Sequence, residues 1–189
     1  MSVSPVVNRI KADMLEVFGK LDHWFDVDDA LLNHKPAGGG WSVREILEHV
    51  SLANHFLLLL IRKLVDKSLA RSRREDYLSI LEDYRFDWEK LEMMAKPGAF
   101  AWQRPEHMEP TGNASLDEVR ATLKLQMGEC MDLLDAVKDG QGVLYKIMMS
   151  VNDLGKIDVY HYVYFLVQHA KRHIVQMENI KNISRSETE

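Results

Sequence analysis

The chain contains a single cysteine, Cys130, among 189 residues. One thiol excludes a disulfide framework and a metal cage of several cysteines, and it is typical of proteins in a reducing compartment. Long apolar runs are also absent, since the longest with large side chains, residues 56–61, is far shorter than the ~18 residues that span a bilayer. Residues 1–14 lack the apolar segment of a signal peptide. We therefore expect a cytoplasmic protein with no membrane partner.

Positive charge is in deficit. The chain has 24 lysines and arginines against 29 aspartates and glutamates, so its formal net charge is −5 at pH 7. Because phosphate backbones bind to a concentrated positive field, this balance argues against a nucleic-acid partner. The apolar fraction of 46% is sufficient for an ordinary core, and the length suits one domain. We predict a single domain over residues 1–189, with its core at about 5–182 and a polar tail at 183–189.

Glycine and proline gather in three clusters, and the stretches between them have a helical pattern. The clusters are residues 36–40, 97–112 and 140–155. Between them, apolar residues recur every three or four positions, which is the period of an amphipathic helix. The predicted helices span residues 4–32, 42–68, 115–138 and 158–182, with a weaker one at 77–94 in the connection. Since no strand alternation is found, the sequence predicts an all-α four-helix bundle.

Polar residues at the predicted helix starts support these boundaries. The four N-cap candidates are Ser4, Ser42, Ser115 and Asp158. Two of the serines are followed three residues later by a glutamate, Glu45 or Glu118. This spacing is typical of a capping box, in which the hydroxyl and the carboxylate each accept a hydrogen bond from a backbone amide.

Three neighbouring polar residues interrupt the buried face of the fourth predicted helix. Its seam, at three-four spacing, consists of Tyr162, Leu166, His169, His173, Gln176 and Ile180. The second helix has a similar interruption at His49, in a seam that is otherwise apolar. An unpaired buried polar group costs roughly 1–3 kcal/mol. Breaking the apolar rule repeatedly in one layer therefore indicates a functional site.

The three histidines suit a metal ion. His169 and His173 are one helical turn apart, so both rings project from one face. With His49 from a facing helix they form a three-imidazole set, which with an open position is typical of catalytic zinc. Imidazole also suits nickel, iron and copper. The alternative is a set of buried histidines hydrogen-bonded to Gln176, Glu45 and water.

Other reactive or aromatic side chains receive simpler interpretations. His161 lies ~80° around the helix from His169, and we place it at the mouth of the pocket. Cys130 is interpreted as a small buried hydrophobic residue. The tryptophans are interpreted as packing residues, with Trp41 and Ile46 forming a hydrophobic staple across the start of the second helix.

Two metalloenzyme motifs are missing. A di-iron carboxylate bundle has Glu-x-x-His twice, but Leu166 and Ala170 stand three residues before His169 and His173. A zinc protease helix has Glu directly after its first histidine, and Ala170 occupies that position here. Since no such base is built in, a small-molecule thiol that coordination deprotonates is a suitable nucleophile.

Two segments resemble the DinB-like superfamily of metal-binding four-helix bundles. They are Trp41-Ser42-Val43-Arg44-Glu45-Ile46-Leu47-Glu48-His49, and Leu154-Gly155 followed by Gln168-His169-Ala170-Lys171-Arg172-His173-Ile174-Val175-Gln176. The resemblance implies a divalent metal, often zinc or nickel, held by His49, His169 and His173. It also implies an up-down-down-up bundle with a long crossover over residues 69–114, and frequent homodimers.

The resemblance further implies chemistry with low-molecular-weight thiols, since characterised relatives include thiol-dependent transferases and isomerases. The predicted function is a metal-dependent transferase that conjugates such a thiol to a small electrophile, with the three histidines acting through the metal. Gln176, Glu45 and His161 are the predicted surrounding residues. One alternative is a hydrolase that uses a hydroxide on the same ion. The other is a non-enzymatic ligand-binding bundle with a structural metal.

Overall fold

The computed structural model describes residues 2–74, 76–99 and 105–187. These residues are mostly helical, with one small two-stranded sheet. The α-helices are α1 (Ser4–Asp22), α2 (Asp29–Asn33), α3 (Val43–Ser72), α4 (Leu78–Glu82), α5 (Trp88–Glu92), α6 (Leu116–Ala136) and α7 (Val159–Ser186). The strands are β1 (Ile147–Met149) and β2 (Gly155–Ile157).

The first predicted helix is two helices. α1 ends at Asp22, and a 3₁₀ turn over His23–Asp26 leads to the extended residue Val27 before α2 begins. The Asp28 side chain caps α2 by accepting from the Leu31 amide at 2.8 Å. Aspartate competes with the helix for backbone donors, so this acid-rich stretch starts a new helix instead of continuing the old one. The residue before α1 is Val3, so the prediction that Ser4 caps it was wrong.

The starts of α3 and α7 confirm two predicted caps. Ser42 Oγ accepts from the Glu45 amide at 3.3 Å, while Glu45 Oε2 accepts from the Ser42 amide at 2.8 Å. Asp158 accepts from the His161 amide at 3.1 Å. Ser115 precedes α6 but makes no side-chain cap hydrogen bond, so the second capping box was wrong.

Helix lengths also differ from the prediction. α3 continues to Ser72, and α7 continues to Ser186, through most of the residues that were assigned to a polar tail. The helix predicted at 77–94 is two short helices, α4 and α5, separated by an irregular stretch at 83–87. Two of the residues in that stretch are aspartates, and Asp87 caps α5 by accepting from the Lys90 amide at 3.0 Å.

The hairpin of β1 and β2 corrects the expectation that the chain has no strands. The strands are antiparallel, with Ile147 opposite Ile157 and Met149 opposite Gly155. Each strand has three residues, which is too short for alternation to be visible in the sequence. The connection places Asn152 and Asp153 in the left-handed region, at φ 45° and 49°, which these residue types tolerate better than others.

The four long helices, α1, α3, α6 and α7, pack against one another around one apolar core. α7 contributes a long buried stretch, since its residues 162–170 are all buried. The largest fully buried side chains include three tyrosines of α7 and aliphatic residues of α1 and α3; examples are Tyr160, Tyr162, Tyr164, Ile10, Met14, Ile46 and Leu58. No helix in the described ranges has the length and hydropathy of a membrane span.

Gly142 is a close-contact position that tests this packing. A Cβ added there would lie 2.6 Å from Tyr160 Cζ. That ring is held by its hydroxyl, which donates to the Val137 carbonyl at 2.5 Å and accepts from the Gly142 amide at 3.2 Å. We expect Gly142→Ala to lower the free energy of unfolding by about 1–3 kcal/mol in urea denaturation, because the ring must move.

Gly128→Ala is the matched control. Gly128 lies on the exposed face of α6, where an added Cβ meets nothing within 4 Å. Alanine there should raise stability by roughly 0.5–1 kcal/mol, because glycine has a lower helix propensity. Equal effects from the two substitutions would contradict the close contact at Gly142.

Candidate metal centre

Three buried imidazoles meet between α3 and α7. His49 extends from the second turn of α3, and His169 and His173 lie one turn apart on α7. Their exposed fractions are 5%, 6% and 6%. One ligand atom of each ring lies within 4.8 Å of the corresponding atoms of the other two. The structure thus brings together the three residues that the sequence selected, and this set could hold a metal ion.

The ring positions bring nitrogens of the two α7 histidines close together. The ring centroids of His49 lie 5.3 Å from His169 and 4.8 Å from His173, and the two α7 rings are 4.5 Å apart. Nε2 of His169 and Nε2 of His173 are 3.2 Å apart. Two nitrogens on a tetrahedral zinc ion at 2.0–2.1 Å would be about 3.4 Å apart. The observed separation therefore fits two ligands of one ion.

Hydrogen bonds at the far sides of two rings determine which nitrogen faces the cluster. Nδ1 of His49 lies 2.8 Å from the carbonyl oxygen of Met108, and since a carbonyl only accepts, Nδ1 carries the proton. Nδ1 of His173 lies 3.0 Å from Oε1 of Gln176. An amide oxygen also only accepts, so this Nδ1 carries the proton as well. A neutral ring with its proton on Nδ1 presents an unprotonated Nε2, the state that a metal requires.

The environment of His169 keeps its ring neutral. Burial lowers the pKa of His169 well below its usual value of 6.5, and repulsion by a charge on His173 or His49 lowers it further. A neutral imidazole is competent to bind a metal, whereas an imidazolium must first lose a proton.

A cavity of about 860 Å³ opens beside the three histidines. Its walls are mostly apolar, with side chains from α3, α7, the 105–108 segment and the β-hairpin; they include Ala53, Leu57, Leu60, Met108, Met149, Val151, Tyr162 and Phe165. Arg172 also lines it, and burial lowers the pKa of this guanidinium. The cluster thus lies at the wall of a pocket large enough for a small organic molecule.

Trp41 is a lining residue that sequence reasoning assigned only to packing. Its ring centroid is 4.5 Å from that of His49 and 6.4 Å from that of His173. Trp41 stands directly before the N-cap of α3, eight residues before His49 in the sequence. Only the path of the preceding loop brings it over the imidazoles, and no sequence signal indicated this. Trp102, another predicted packing residue, lies outside the described residues.

His161 lies away from the cluster, so its predicted place at the pocket mouth was wrong. Its Nδ1 is 2.7 Å from Oδ1 of Asp158, and its ring stacks on Phe86 at a centroid distance of 4.3 Å. It lines a second cavity of about 600 Å³, between the crossover segment and the β-hairpin. Its angular offset from His169 on α7 is large enough to direct the ring to the other side of the hairpin.

Glu45 and Cys130 stabilise the fold and are not part of the histidine cluster. The Glu45 carboxylate accepts from Ser42 and from Lys35 Nζ at 2.8 Å, so it completes the helix cap and an ion pair. These bonds lower the pKa of Glu45 against the raising effect of burial. Cys130 is fully buried in the core, and burial raises the pKa of its thiol to about 12. A thiol in that state is inert at neutral pH, in agreement with its interpretation as a hydrophobic residue.

These observations define a class: a mostly helical protein in which two helices present a buried three-histidine cluster to an apolar pocket. The sequence profile of the DinB superfamily matches residues 12–177, most of the chain. The protein therefore belongs to the DinB superfamily. Comparisons with curated proteins and with solved structures found no match.

The buried neutral His169 predicts a pH dependence of stability in metal-free protein. The unfolded chain takes up a proton near pH 6.5, whereas folded His169 stays neutral to much lower pH. Stability should therefore fall as the pH drops below 6.5, by up to about 1.4 kcal/mol per pH unit for this proton. In urea melts with chelator present, His169→Asn should lessen this slope.

His55→Asn serves as the control, since His55 is exposed on α3. Its ring lies outside the buried cluster, so its loss should leave the slope unchanged. An unchanged slope in His169→Asn would show that His169 is not held neutral by the fold.

Proposed function

We propose that this protein binds one divalent metal ion, zinc or nickel, through Nε2 of His49, His169 and His173. We further propose that it catalyses transfer of a low-molecular-weight thiol to a small electrophile. The observation that carries the proposal is the convergence of three buried imidazoles beside a pocket, with hydrogen bonds that leave the inward nitrogens of two rings unprotonated. Membership of the DinB superfamily agrees with metal binding.

The donor set matches the chemistry of the proposed ion. Zinc and nickel both accept imidazole nitrogen, and three protein ligands leave a coordination position for a reactant. When bound, the ion supplies a Lewis acid that favours the deprotonated form of a thiol.

The chain's own residues bind the reactants and exclude water. The apolar walls of the pocket, formed by residues such as Leu57, Tyr162 and Phe165, favour an electrophile with an apolar body. Trp41 covers the His49 and His173 rings and limits access from that side. Arg172 places a positive charge on the same wall, which would attract an anionic group of the thiol or of the electrophile.

We also propose that the four long helices form an up-down-down-up bundle. Polar contacts between the helices support this topology, because the order of the contacting residues along two helices shows whether the helices run in the same or opposite directions. The contacts are Ser51 with Gln126 and Arg62 with Glu129 between α3 and α6, Asp22 with Arg120 and Lys11 with Asp135 between α1 and α6, and Asp13 with Tyr164 and Trp24 with Lys181 on the side of α7. The residue numbers of the contacting partners rise in the same direction along α3 and α6 and along α1 and α7, so each of these pairs is parallel. Along α1 and α6 they rise in opposite directions, so this pair is antiparallel.

A metal-dependent hydrolase is the second candidate, and one feature of the pocket favours it. Asp153 lines the pocket wall in the left-handed turn of the hairpin, and a carboxylate there could accept a proton from water. Asp153→Asn should abolish amide or ester hydrolysis but leave thiol conjugation nearly unchanged. The pair of assays therefore separates the two candidates.

Metal content tests the proposed ligands. The wild-type protein, purified after growth with zinc and nickel, should contain about one ion per chain by elemental analysis, and His173→Ala should contain almost none. Two nitrogens hold an ion far more weakly than three. His161→Ala is the control, because His161 belongs to the second cavity, and it should keep the wild-type metal content. Loss of metal in both variants would point to unfolding or to another site.

Enzymatic turnover tests the proposed reaction. Conjugation of a panel of small thiols to an apolar electrophile should require the metal and should fall by at least 100-fold in His49→Ala. If no thiol reacts, and chelation lowers the melting temperature strongly, the non-enzymatic bundle with a structural metal becomes the better interpretation.

A homodimer and a cytoplasmic location stay predictions. Exposed Leu59 and Leu60 on α3 support an interface there.

A further inference from the structure

We infer that Glu48 is a positioning residue for the metal centre: its buried carboxylate fastens residues 105–112 to α3, so that the Met108 carbonyl holds the His49 proton on Nδ1. The inference rests on the proposed function in one respect, namely that Nε2 of His49 is a metal ligand. The segment 105–112 is called the latch segment below.

Glu48 is a charged residue with only 6% of its surface exposed. Its carboxylate accepts three hydrogen bonds from the latch segment: from the Thr111 amide at 2.9 Å, the Thr111 hydroxyl at 2.9 Å and the Gly112 amide at 2.8 Å. Gly112 has φ +74°, a conformation that favours glycine and aims its amide at the carboxylate. A buried carboxylate is tolerated when it is bonded in this way, and such charge-assisted bonds are strong.

Glu48 and His49 hold the latch segment at two points. They are consecutive on α3, so their side chains leave the helix about 100° apart. Glu48 binds Thr111 and Gly112, while Nδ1 of His49 donates to the carbonyl of Met108, three residues earlier, at 2.8 Å. A ring contact of His107 with Phe56, at a centroid distance of 4.3 Å, adds a third attachment two turns along α3. The position of the Met108 carbonyl is therefore coupled to the Glu48 bonds.

The proton position on His49 follows from that carbonyl. Which nitrogen of a neutral imidazole carries the proton is determined by the hydrogen bond made by the other. With the Met108 oxygen in place, the proton is held on Nδ1 and Nε2 is unprotonated. If the latch segment moves away, the proton is shared between both nitrogens, and a proton on Nε2 competes with a metal. Residues that orient a ligating histidine in this way change metal affinity by about 10–100-fold.

Glu48→Gln is the test substitution. The glutamine amide retains one accepting oxygen. Its NH₂ group replaces the other oxygen and would face a backbone or hydroxyl donor, so at least one of the bonds to residues 111 and 112 is lost. Two measurements follow on the full chain: the ¹⁵N chemical shifts of the His49 ring in chelator-treated protein at pH 8, and the Kd for Zn²⁺ by competition with a chromophoric chelator. We expect the His49 proton to move partly to Nε2, and the Kd to rise by about 10–100-fold.

Two further variants separate positioning from general stability. Glu129→Gln removes an ion pair with Arg62 between α3 and α6, away from the three histidines, and should change neither readout. Thr111→Val removes one of the three Glu48 bonds, together with the bond that the Thr111 hydroxyl accepts from the Asn113 amide. It keeps both backbone donors to Glu48, so its shift in proton position and in Kd should be smaller than that of Glu48→Gln. If Glu48→Gln does not fold, Thr111→Val against Glu129→Gln decides the question.

The outcomes distinguish this inference from the proposed function. A folded Glu48→Gln protein with the His49 proton still on Nδ1 and a Kd within twofold of wild type would overturn the inference. A wild-type protein that binds no Zn²⁺ or Ni²⁺ would overturn the proposed function. In that case the ring ¹⁵N shifts, measured without metal, still decide whether Glu48 controls the proton position on His49.

Discussion

Burial of three imidazoles between α3 and α7 is the constraint on which the rest of the site depends. Polar rings in an apolar interface cost free energy unless their nitrogens are bonded. For His49 and His173 the structure meets this requirement from outside the cluster, through the Met108 carbonyl and the Gln176 amide oxygen. Because these two outer nitrogens are bonded, Nε2 of His49 and Nε2 of His173 face the cluster, and Nε2 of His173 lies 3.2 Å from Nε2 of His169. Imidazole nitrogens at this separation suit two ligands of one cation.

The crossover between α3 and α6 does more than connect the two helices, because part of it belongs to the site. Its described residues place Met108 and Pro105 on the pocket wall and fasten Thr111 and Gly112 to α3. The β-hairpin closes another side with Met149. Two rigid helices therefore hold the metal-ligating candidates, whereas irregular segments form much of the pocket wall. This division leaves the pocket wall free to vary while the donor set is retained.

Family membership and function have different support. A match over residues 12–177 assigns the fold family, and the histidine cluster agrees with metal binding. The reaction depends on the pocket, where the apolar wall, Arg172 and Asp153 are the features that bear on substrate and mechanism. A fold supports many chemistries, so these side chains carry the functional argument.

The sequence by itself determined the helical class, the starts of α3 and α7 and the three histidines, because helical period, capping residues and i, i+4 spacing are local properties. It misplaced the end of α1 and missed the hairpin, where short elements depend on their neighbours. Only the tertiary structure decided that Trp41 covers the imidazoles and that His161 belongs to another cavity. The bonds of His49 to Met108 and of Glu48 to Gly112 were likewise decided there. Those contacts join residues far apart along the chain or depend on the path of irregular backbone. Such relations have no local signal and arise only when the helices pack.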